Sequence, residues 1–265
     1  MDIPDRPAVE ASFARTLARL SAGQRRLFAA RLGSPPDFSR LTPDFWVNLE
    51  HVRQRELSAQ MSIVYLLSAD EHAEVWLPDD LHAMTKDSLR STAATWADAK
   101  SREIARKWLT NTQQKFDKAM QRLAGGFKPP GAPGIPGFPF PSRPPTAAEV
   151  EEELIDIFSP ERDALAAATE TTRAATGGFH GARGAAEELG IVLDVIWWTE
   201  ADGRVCPWCQ PLHRQSMKNW ESVLIAVPDI PTRVLDDVRG NGGPPAHVNC
   251  RCWLETVKGG GRLWR

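Results

Sequence analysis

The sequence predicts an α+β protein with an all-helical N-terminal region, a Pro/Gly-rich linker and a small Cys/His-containing α+β C-terminal domain. Apolar residues recur at helical spacing up to Leu123, and proline and glycine then crowd the stretch from Gly125 to Pro145. The best strand candidate, "IVLDVIWWT", follows this stretch, and all four cysteines come after it. The predicted ranges are 1–124 for the helical region, 125–147 for the linker and 148–265 for the C-terminal domain.

The composition is that of a globular protein without membrane segments. The 265 residues are 42% apolar and 25% charged, which suits one large domain or two small ones. A net charge of -2 gives no overall field that would draw the chain to nucleic acid or an anionic membrane. No apolar run approaches a transmembrane length, and the opening "MDIPDRPAVE" has no signal-peptide core. We expect synthesis in the cytosol, where thiols stay reduced, and no membrane partner.

The N-terminal region carries helix-start signals and is expected to form three to five helices. Ser21 and Gln24 have the spacing of a capping box, in which each side chain bonds the backbone of the other residue. Thr42 followed by Pro43 predicts an N-cap and a first helical residue.

The strongest helical periodicity lies between Asp98 and Leu123. Its apolar stripe consists of Ile104, Trp108, Leu109, Phe116, Met120 and Leu123, and its main cations are Arg102, Arg106, Lys115, Lys118 and Arg122. The cations lie mostly outside the stripe. They fit either a contact with DNA or a solvated helix face, and the solvated face is the favoured interpretation.

The segment "GFKPPGAPGIPGFPFPSRPP", from Gly126 onward, predicts a semi-rigid linker. Proline removes backbone donors and glycine resists ordering, so neither a helix nor a strand is expected there. An ordered loop lying on a partner surface is the alternative. That alternative stays open because an inert linker rarely carries so many apolar side chains, here Phe127, Ile135, Phe138 and Phe140.

Two helix starts follow the linker. Thr146 and Glu149 again have capping-box spacing, and Ser159 precedes Pro160 as an N-cap precedes a first helical residue. Both starts precede apolar residues at helical spacing. We expect two helices before the strand candidate.

Glycines mark the region between the second of these helices and the strand. The pair Gly177-Gly178 predicts the end of the helix. Gly178, Gly181 and Gly184 resemble a phosphate-binding loop, but they follow a helix instead of a strand, which is the wrong context for dinucleotide binding. The β-branched and aromatic residues from Ile191 to Thr199 predict a strand.

The cysteines and one histidine form two motifs separated by roughly forty residues. Cys206 and Cys209 make a C-x-x-C pair, and Cys250 and Cys252 make a C-x-C pair with His247 three residues earlier. Such turns aim two thiolates at one ion, and zinc takes four ligands in a tetrahedron. A set of four cysteines and a set of three cysteines with His247 both fit. The sequence therefore predicts a structural zinc site.

Other interpretations of the same residues are open. The thiols could pair as disulfides, or they could pack unmetallated beside Trp208 and Trp253. His213 is a weaker sixth ligand candidate. A catalytic zinc needs an open position and a general base, and the H-x-E motif of zinc deaminases is absent. Glu200 and Asp202 lie nearby in sequence without an assigned role. A closed structural site is the more economical prediction.

The segments "WWTEADGRVCPWCQPLH" and "PPAHVNCRCWL" resemble the C-terminal module of the phage Mu F-like minor head proteins. The matching positions are Trp198, Thr199, Asp202, Cys206, Cys209, Pro244, Pro245, His247, Asn249, Cys250, Arg251 and Cys252. The upstream "ATETTRAAT", Ala168 to Thr176, resembles the helix that opens this module. The resemblance covers roughly residues 150–256. Two departures are "QPLHRQS" where the family often has Asp-Gly, and the long linker.

This resemblance implies a virion protein of a phage or prophage that acts in head morphogenesis and is not an enzyme. Such proteins are present in few copies, associate with the portal vertex inside the capsid and are assembled in the host cytoplasm. The implied partners are the portal protein, the major capsid protein or both, with at most weak contact to packaged DNA. The alternative is a metal-dependent nuclease or toxin-type effector domain. The N-terminal half offers such an effector no paired carboxylates, nucleophile elbow or phosphate loop.

Overall fold

The computed structural model describes residues 5–123, 145–200 and 205–258, and these ranges confirm the predicted fold class. Residues 125–144 of the predicted linker lie outside them, with Phe127, Ile135, Phe138 and Phe140, and so does Asp202. The helices are α1 (Arg6–Leu32), α2 (Pro43–Trp76), α3 (Asp79–Leu123), α4 (Ala147–Ile157), α5 (Pro160–Glu188), α6 (Trp220–Ile225) and α7 (Thr232–Asn241). The strands are β1 (Leu193–Trp198), β2 (Gln215–Ser216) and β3 (Trp253–Lys258), and short 3-10 turns cover Phe38–Arg40 and Gln210–Leu212.

Three predicted helix starts are confirmed by their capping bonds. Thr42 Oγ1 accepts a hydrogen bond from the amide of Phe45 at 3.4 Å, so α2 begins at Pro43. At α4, Thr146 and Glu149 bond each other's backbone in a complete capping box. At α5, Ser159 accepts from the amide of Arg162 at 3.4 Å.

The predicted capping box at Ser21 and Gln24 is wrong. Both residues lie buried in the middle of α1, which begins fifteen residues earlier at Arg6. Ser21 accepts a hydrogen bond from the guanidinium of Arg53, and the Gln24 amide donates to Leu49 O at 3.2 Å. Their polar atoms therefore satisfy partners on α2 and do not cap the start of a helix.

The predicted end of α5 at Gly177-Gly178 is also wrong, because the helix continues to Glu188. A Cβ atom at Gly178 would overlap the backbone oxygen of Tyr65, and one at Gly181 would overlap the Tyr65 hydroxyl. The glycines thus allow α5 to pack directly against α2. Close helix contact outweighs the low helix propensity of glycine at these positions.

The long helices pack around α2 and α5. α3 lies along α2, and α5 lies along both α2 and α1. Arg53 of α2 and Asp163 of α5 form a buried ion pair at 3.1 Å, and the Arg53 guanidinium lies 4.2 Å from the centre of the Trp108 ring. α5, which the predicted ranges assign to the C-terminal domain, is therefore part of the helical packing.

The residues of the predicted stripe on α3 face the other helices. Leu109 and Phe116 are buried, and the remaining four members are half-buried. All five of the predicted cations on α3 are exposed. Arg102 pairs with Asp98 at 2.7 Å on the same helix. This exposure is that of a solvated face. None of the described helices combines the length and the apolar character that a bilayer-spanning segment requires.

The sheet is antiparallel with the strand order β2-β1-β3. The predicted strand from Ile191 to Thr199 is confirmed as β1, in which Trp197 lies opposite Leu254 of β3. Trp197 and Leu254 are buried on the face that packs against Phe179 of α5 and the small helices α6 and α7. The sheet and its surrounding loops therefore share their core with the end of α5.

Candidate metal centre

The first cysteine pair lies in a tight turn just after β1. The amides of Cys209 and Gln210 both donate to Cys206 O at 3.1 Å, and the 3-10 turn Gln210–Leu212 follows. The Cys209 amide also lies 3.2 Å from Cys206 Sγ, where it donates to the sulfur. This turn directs both side chains of the C-x-x-C pair to the same side.

The second pair lies in a turn that leads directly into β3. The Cys250 amide donates to His247 O at 3.2 Å, and Asn249 between them has a positive φ of 59°. Asparagine tolerates this left-handed conformation better than most residues. Cys252 precedes Trp253, the first residue of β3. Local backbone geometry therefore places His247, Cys250 and Cys252 around one point.

The two turns meet, and their ligand atoms form one cluster. The atoms of Cys206, Cys209 and His247 lie within 4.8 Å of one another, and so do those of Cys209, Cys250 and Cys252. Cys209 Sγ is 3.3 Å from His247 Nε2 and 4.0 Å from Cys250 Sγ. All five predicted metal ligands are therefore brought together, and the cluster could hold a metal ion.

The spacing fits a tetrahedral ion better than a disulfide. Two sulfurs that bind one zinc ion at about 2.3 Å lie roughly 3.8 Å apart at the tetrahedral angle. The 4.0 Å between Cys209 and Cys250 is close to that separation and about twice an S–S bond. All four cysteines are free thiols. A cavity of about 20 Å³ beside them, lined by Cys206, Cys209, His247 and Cys252, has room for one small species.

Hydrogen bonds within the cluster shift the pKa values of its cysteines and of His247. A hydrogen bond with Cys209 lowers the pKa of Cys206 to about 5, and the pKa of Cys250 is lowered by the same neighbour. The thiolates of Cys206 and Cys250 in turn raise the pKa of His247 to about 10. The neighbouring groups thus favour the thiolate form of Cys206 and Cys250, which is the form that binds a cation.

Burial separates the ligands into two groups. Cys209, Cys250 and Cys252 are at most 5% exposed, whereas Cys206 and His247 are half-buried. The His247 ring contacts the edge of Trp208, and its Nδ1 is 2.8 Å from Val248 O. A cation would therefore be enclosed by the three buried thiols and would be reached from the side of Cys206 and His247.

α5 fixes the second turn through two threonines that the sequence interpretation did not assign. Thr169 Oγ1 accepts the Asn249 amide at 2.8 Å, and Thr172 Oγ1 donates to Cys250 O at 2.6 Å. Arg6 of α1 donates to Thr172 Oγ1 at 2.5 Å and reaches Cys250 O at 3.5 Å. Two threonines three apart share one helix face, which was a detectable signal, whereas nothing in the sequence connects Arg6 to this loop.

Four further residues of the two motif segments lie outside the ligand triads: His213, Glu200, Arg251 and Trp253. His213 is not in either ligand triad, and its Nδ1 accepts the Thr199 amide at 3.2 Å. Glu200 and Arg251 line the small cavity, and Trp253 stacks on Trp198 with ring centres 6.5 Å apart. The weaker sixth ligand candidate therefore supports β1 and lies outside the cluster.

Comparisons of this chain with protein-family models, with curated proteins and with solved structures find no match. The fold and cluster define an α+β protein with a cysteine- and histidine-rich site that could hold a metal ion.

Proposed function

We propose that this chain is a minor head protein of a phage virion. It acts in head morphogenesis at the portal vertex inside the capsid, with the portal protein, the major capsid protein or both as partners. One structural zinc ion closes its C-terminal part. The proposal rests on the resemblance to the Mu F-like module, and one observation in the structure supports it.

That observation is the convergence of the three segments that carry the resemblance. "ATETTRAAT" lies on α5, and Thr169 and Thr172 within it bond the turn that holds Cys250. The C-x-x-C turn meets the same loop, with Cys209 Sγ 3.3 Å from His247 Nε2. Segments separated by up to 80 residues thus form one unit, as expected if they belong to one module.

Zinc is the proposed ion because thiolates and imidazole are its preferred ligands. Either the four cysteines or three cysteines with His247 would complete its tetrahedron, and Cys209 belongs to both ligand triads. When bound, the ion supplies a cross-link between the two turns. The chain's own residues orient the ligands through backbone bonds from Cys209, Cys250 and Asn249.

A structural role is favoured over the alternative, a metal-dependent nuclease or toxin-type effector. Catalysis on a nucleic acid needs an open coordination position and space for a phosphate beside it. The cavity at the cluster measures about 20 Å³, close to the size of one water molecule. His247 is the one histidine at the cluster among the described residues, and its Nε2 faces Cys209.

The test is the composition of phage particles. Induction of the strain that encodes the chain, followed by particle purification and quantitative mass spectrometry, should find the protein at a few copies per particle. Deletion of its gene should leave heads that fail to mature or to deliver DNA. Its absence from particles, with normal particles in the deletion strain, would overturn the virion proposal.

The effector alternative has its own measurement. The purified full chain, supplied in turn with zinc, magnesium and manganese, is incubated with supercoiled plasmid and with RNA. We expect no cleavage above that of a protein lacking Cys206 and Cys209. Metal-dependent nicking that disappears in His247→Ala would favour the nuclease instead.

A further inference from the structure

An open groove separates part of α3 from α5. Its volume is about 530 Å³. The lining residues recur at intervals of three and four, from Lys100 to Asn111 on α3 and from Arg162 to Arg173 on α5. Eleven residues of helix correspond to about 16 Å, so the groove is three turns long. Leu17 and Leu57 form its apolar floor, and the loop that holds His247 closes one end.

α4 already occupies the neighbouring part of the same surface. Val150 and Leu154 of α4 are buried against Phe116 and Ala119 of α3. α4 ends where the groove begins, since the Arg162 guanidinium at the groove donates to the carbonyl of Ile157, the last residue of α4. The groove therefore continues a track on which this chain packs a helix of its own.

The helix that fills the first part of this track is acidic and amphipathic. α4 has the sequence "AAEVEEELIDI", in which Val150, Leu154 and Ile157 are buried and the carboxylates lie toward solvent. One of these, Glu153, pairs with Arg122 of α3 at 2.6 Å. α3 thus holds α4 through apolar burial beside one carboxylate-to-cation pair.

The groove offers the same chemistry without an occupant among the described residues. Lys100 and Lys107 share one carboxylate, Glu103, at 3.4 and 2.8 Å. Within the described ranges no carboxylate lies at ion-pair distance from Arg162. The end near Lys107 and Arg162 therefore has an excess of positive charge, while Glu170 and Arg173 pair with each other at 2.7 Å farther along.

The rim of the groove is apolar as well as basic. Leu165 on α5 is 44% exposed, and Val248, next to the metal ligand candidate His247, is 64% exposed. Trp108 and Ile104 on the facing wall are half-buried. An apolar strip with cations beside it suits the apolar face of a helix that carries carboxylates at its edges.

We propose that the groove between α3 and α5 binds an acidic amphipathic helix of a partner protein. The partner helix lays its apolar side chains between Trp108 and Leu165, and its flanking carboxylates pair with Lys107 and Arg162. The bound helix continues the line of α4 and ends against the loop of His247. This inference stands on the groove alone and does not rest on the virion proposal.

The test selects helices by charge. A displayed library keeps leucine at i, i+3, i+4 and i+7 of an eleven-residue helix, which matches the length of the groove, and randomises the other positions among Glu, Lys, Gln and Ala. Selection is carried out on the full chain and on the double variant Lys107→Glu/Arg162→Glu. The matched control is Arg102→Glu/Lys118→Glu, which makes the same charge change on exposed positions of α3 outside the groove. Circular dichroism checks that each variant is folded.

We expect glutamate to be enriched beside the leucines on the wild type and on the control, and lysine to replace it on the groove variant. An enriched peptide should bind the groove variant at least about tenfold more weakly than the control. If the double variant does not fold, Lys107→Glu alone should weaken binding several-fold. Enrichment of lysine on the wild type, no enrichment of any helix, or equal binding by groove variant and control would each overturn the proposal.

Discussion

His72 shows how burial sets the charge of a single residue. Its ring packs between Trp76 and Phe179, with centres 5.1 and 5.0 Å away, and its Nδ1 lies 2.7 Å from Ser68 O. Its Nε2 is buried and has no hydrogen-bond partner among the described residues. Desolvation therefore lowers the pKa of His72 to about 4, against 6.5 for an exposed histidine.

This pKa makes the stability of the protein dependent on pH. Because the folded-state pKa is depressed, the unfolded chain binds the proton more readily between pH 6.5 and 4. The free energy of unfolding should fall as the pH drops through that window, by up to about 3 kcal/mol from this residue. Urea unfolding of the full chain at several pH values measures the slope.

The variant His72→Phe isolates this contribution. Phenylalanine keeps the aromatic contacts with Trp76 and Phe179 and removes the titrating nitrogen, so the slope between pH 6.5 and 4 should become shallower. Stability at pH 7 should stay within roughly 1 kcal/mol of the wild type. An unchanged slope would mean that other groups, such as His180, whose pKa burial also lowers, dominate acid unfolding.

At the scale of elements, the contact between α2 and α5 depends on glycine. A Cβ atom at Gly177 would lie 3.1 Å from the Tyr65 ring of α2, and one at Gly178 would meet the backbone of Tyr65 and Ala69. Backbone cannot move aside as a flexible side chain does. The two helices therefore lie at a distance that only glycine permits at position 178.

Gly178→Ala should destabilise the protein by about 2 kcal/mol or more, because the added methyl group forces α5 away from α2. Gly184→Ala is the matched control on the same helix, since nothing lies within 4 Å of its added Cβ. That substitution should be neutral or stabilise by up to about 1 kcal/mol through helix propensity. Thermal unfolding compares the two, and equal effects would show that helix propensity alone decides them.

Most helices and strands could be predicted from the sequence. The predictions failed where a contact between distant residues determined the structure. Thr42, Thr146 and Ser159 cap helices as predicted, because a cap is satisfied within four residues of chain. The predictions at Ser21 and Gly177-Gly178 failed because these residues serve contacts with α2, at distant positions in the sequence. Local patterns do not identify such partners.

For the candidate site, too, the local motifs could be predicted and the contacts between distant residues could not. The five ligand candidates were predictable because their residue types and spacing are intrinsic to two short motifs. The buried pair of Arg53 and Asp163 was not predicted, since 110 residues separate two charges that look solvent-facing in a helical pattern. The bond from Thr172 to Cys250 escaped prediction for the same reason.

At the scale of the whole molecule, the cysteine and histidine cluster joins parts that are far apart in sequence. The loop of Cys250 contacts α5 through Thr172 and α1 through Arg6, and it shares a thiol cluster with the turn of Cys206 and Cys209. Loss of the cluster should therefore weaken the sheet and the attachment of α1 together.

The double variant Cys206→Ser/Cys209→Ser should lose bound metal and about 3 kcal/mol or more of stability, lowering the melting temperature by roughly 6–12 °C. Elemental mass spectrometry should find about one zinc per wild-type chain, purified under reducing conditions, and none in the variant. His213→Ala serves as the control because His213 lies outside both ligand triads, and it should keep the metal. An unchanged melting curve in the double variant would contradict a structural role for the cluster.

The contact between Arg6 and Cys250 also has a consequence for biosynthesis. The two residues are 244 positions apart and α1 ends at Leu32, so a ribosome that adds 5–20 residues per second completes α1 about 11–44 seconds before it makes the loop that α1 contacts. Phe13 and Leu17 of α1, which are fully buried in the finished protein, pack with Ala167 and Ala174 of α5, so they stay incompletely covered until α5 is made. The nascent chain therefore exposes part of the apolar face of α1 until α5 is available, and a chaperone that shields this face in that period would raise the yield of correctly folded protein.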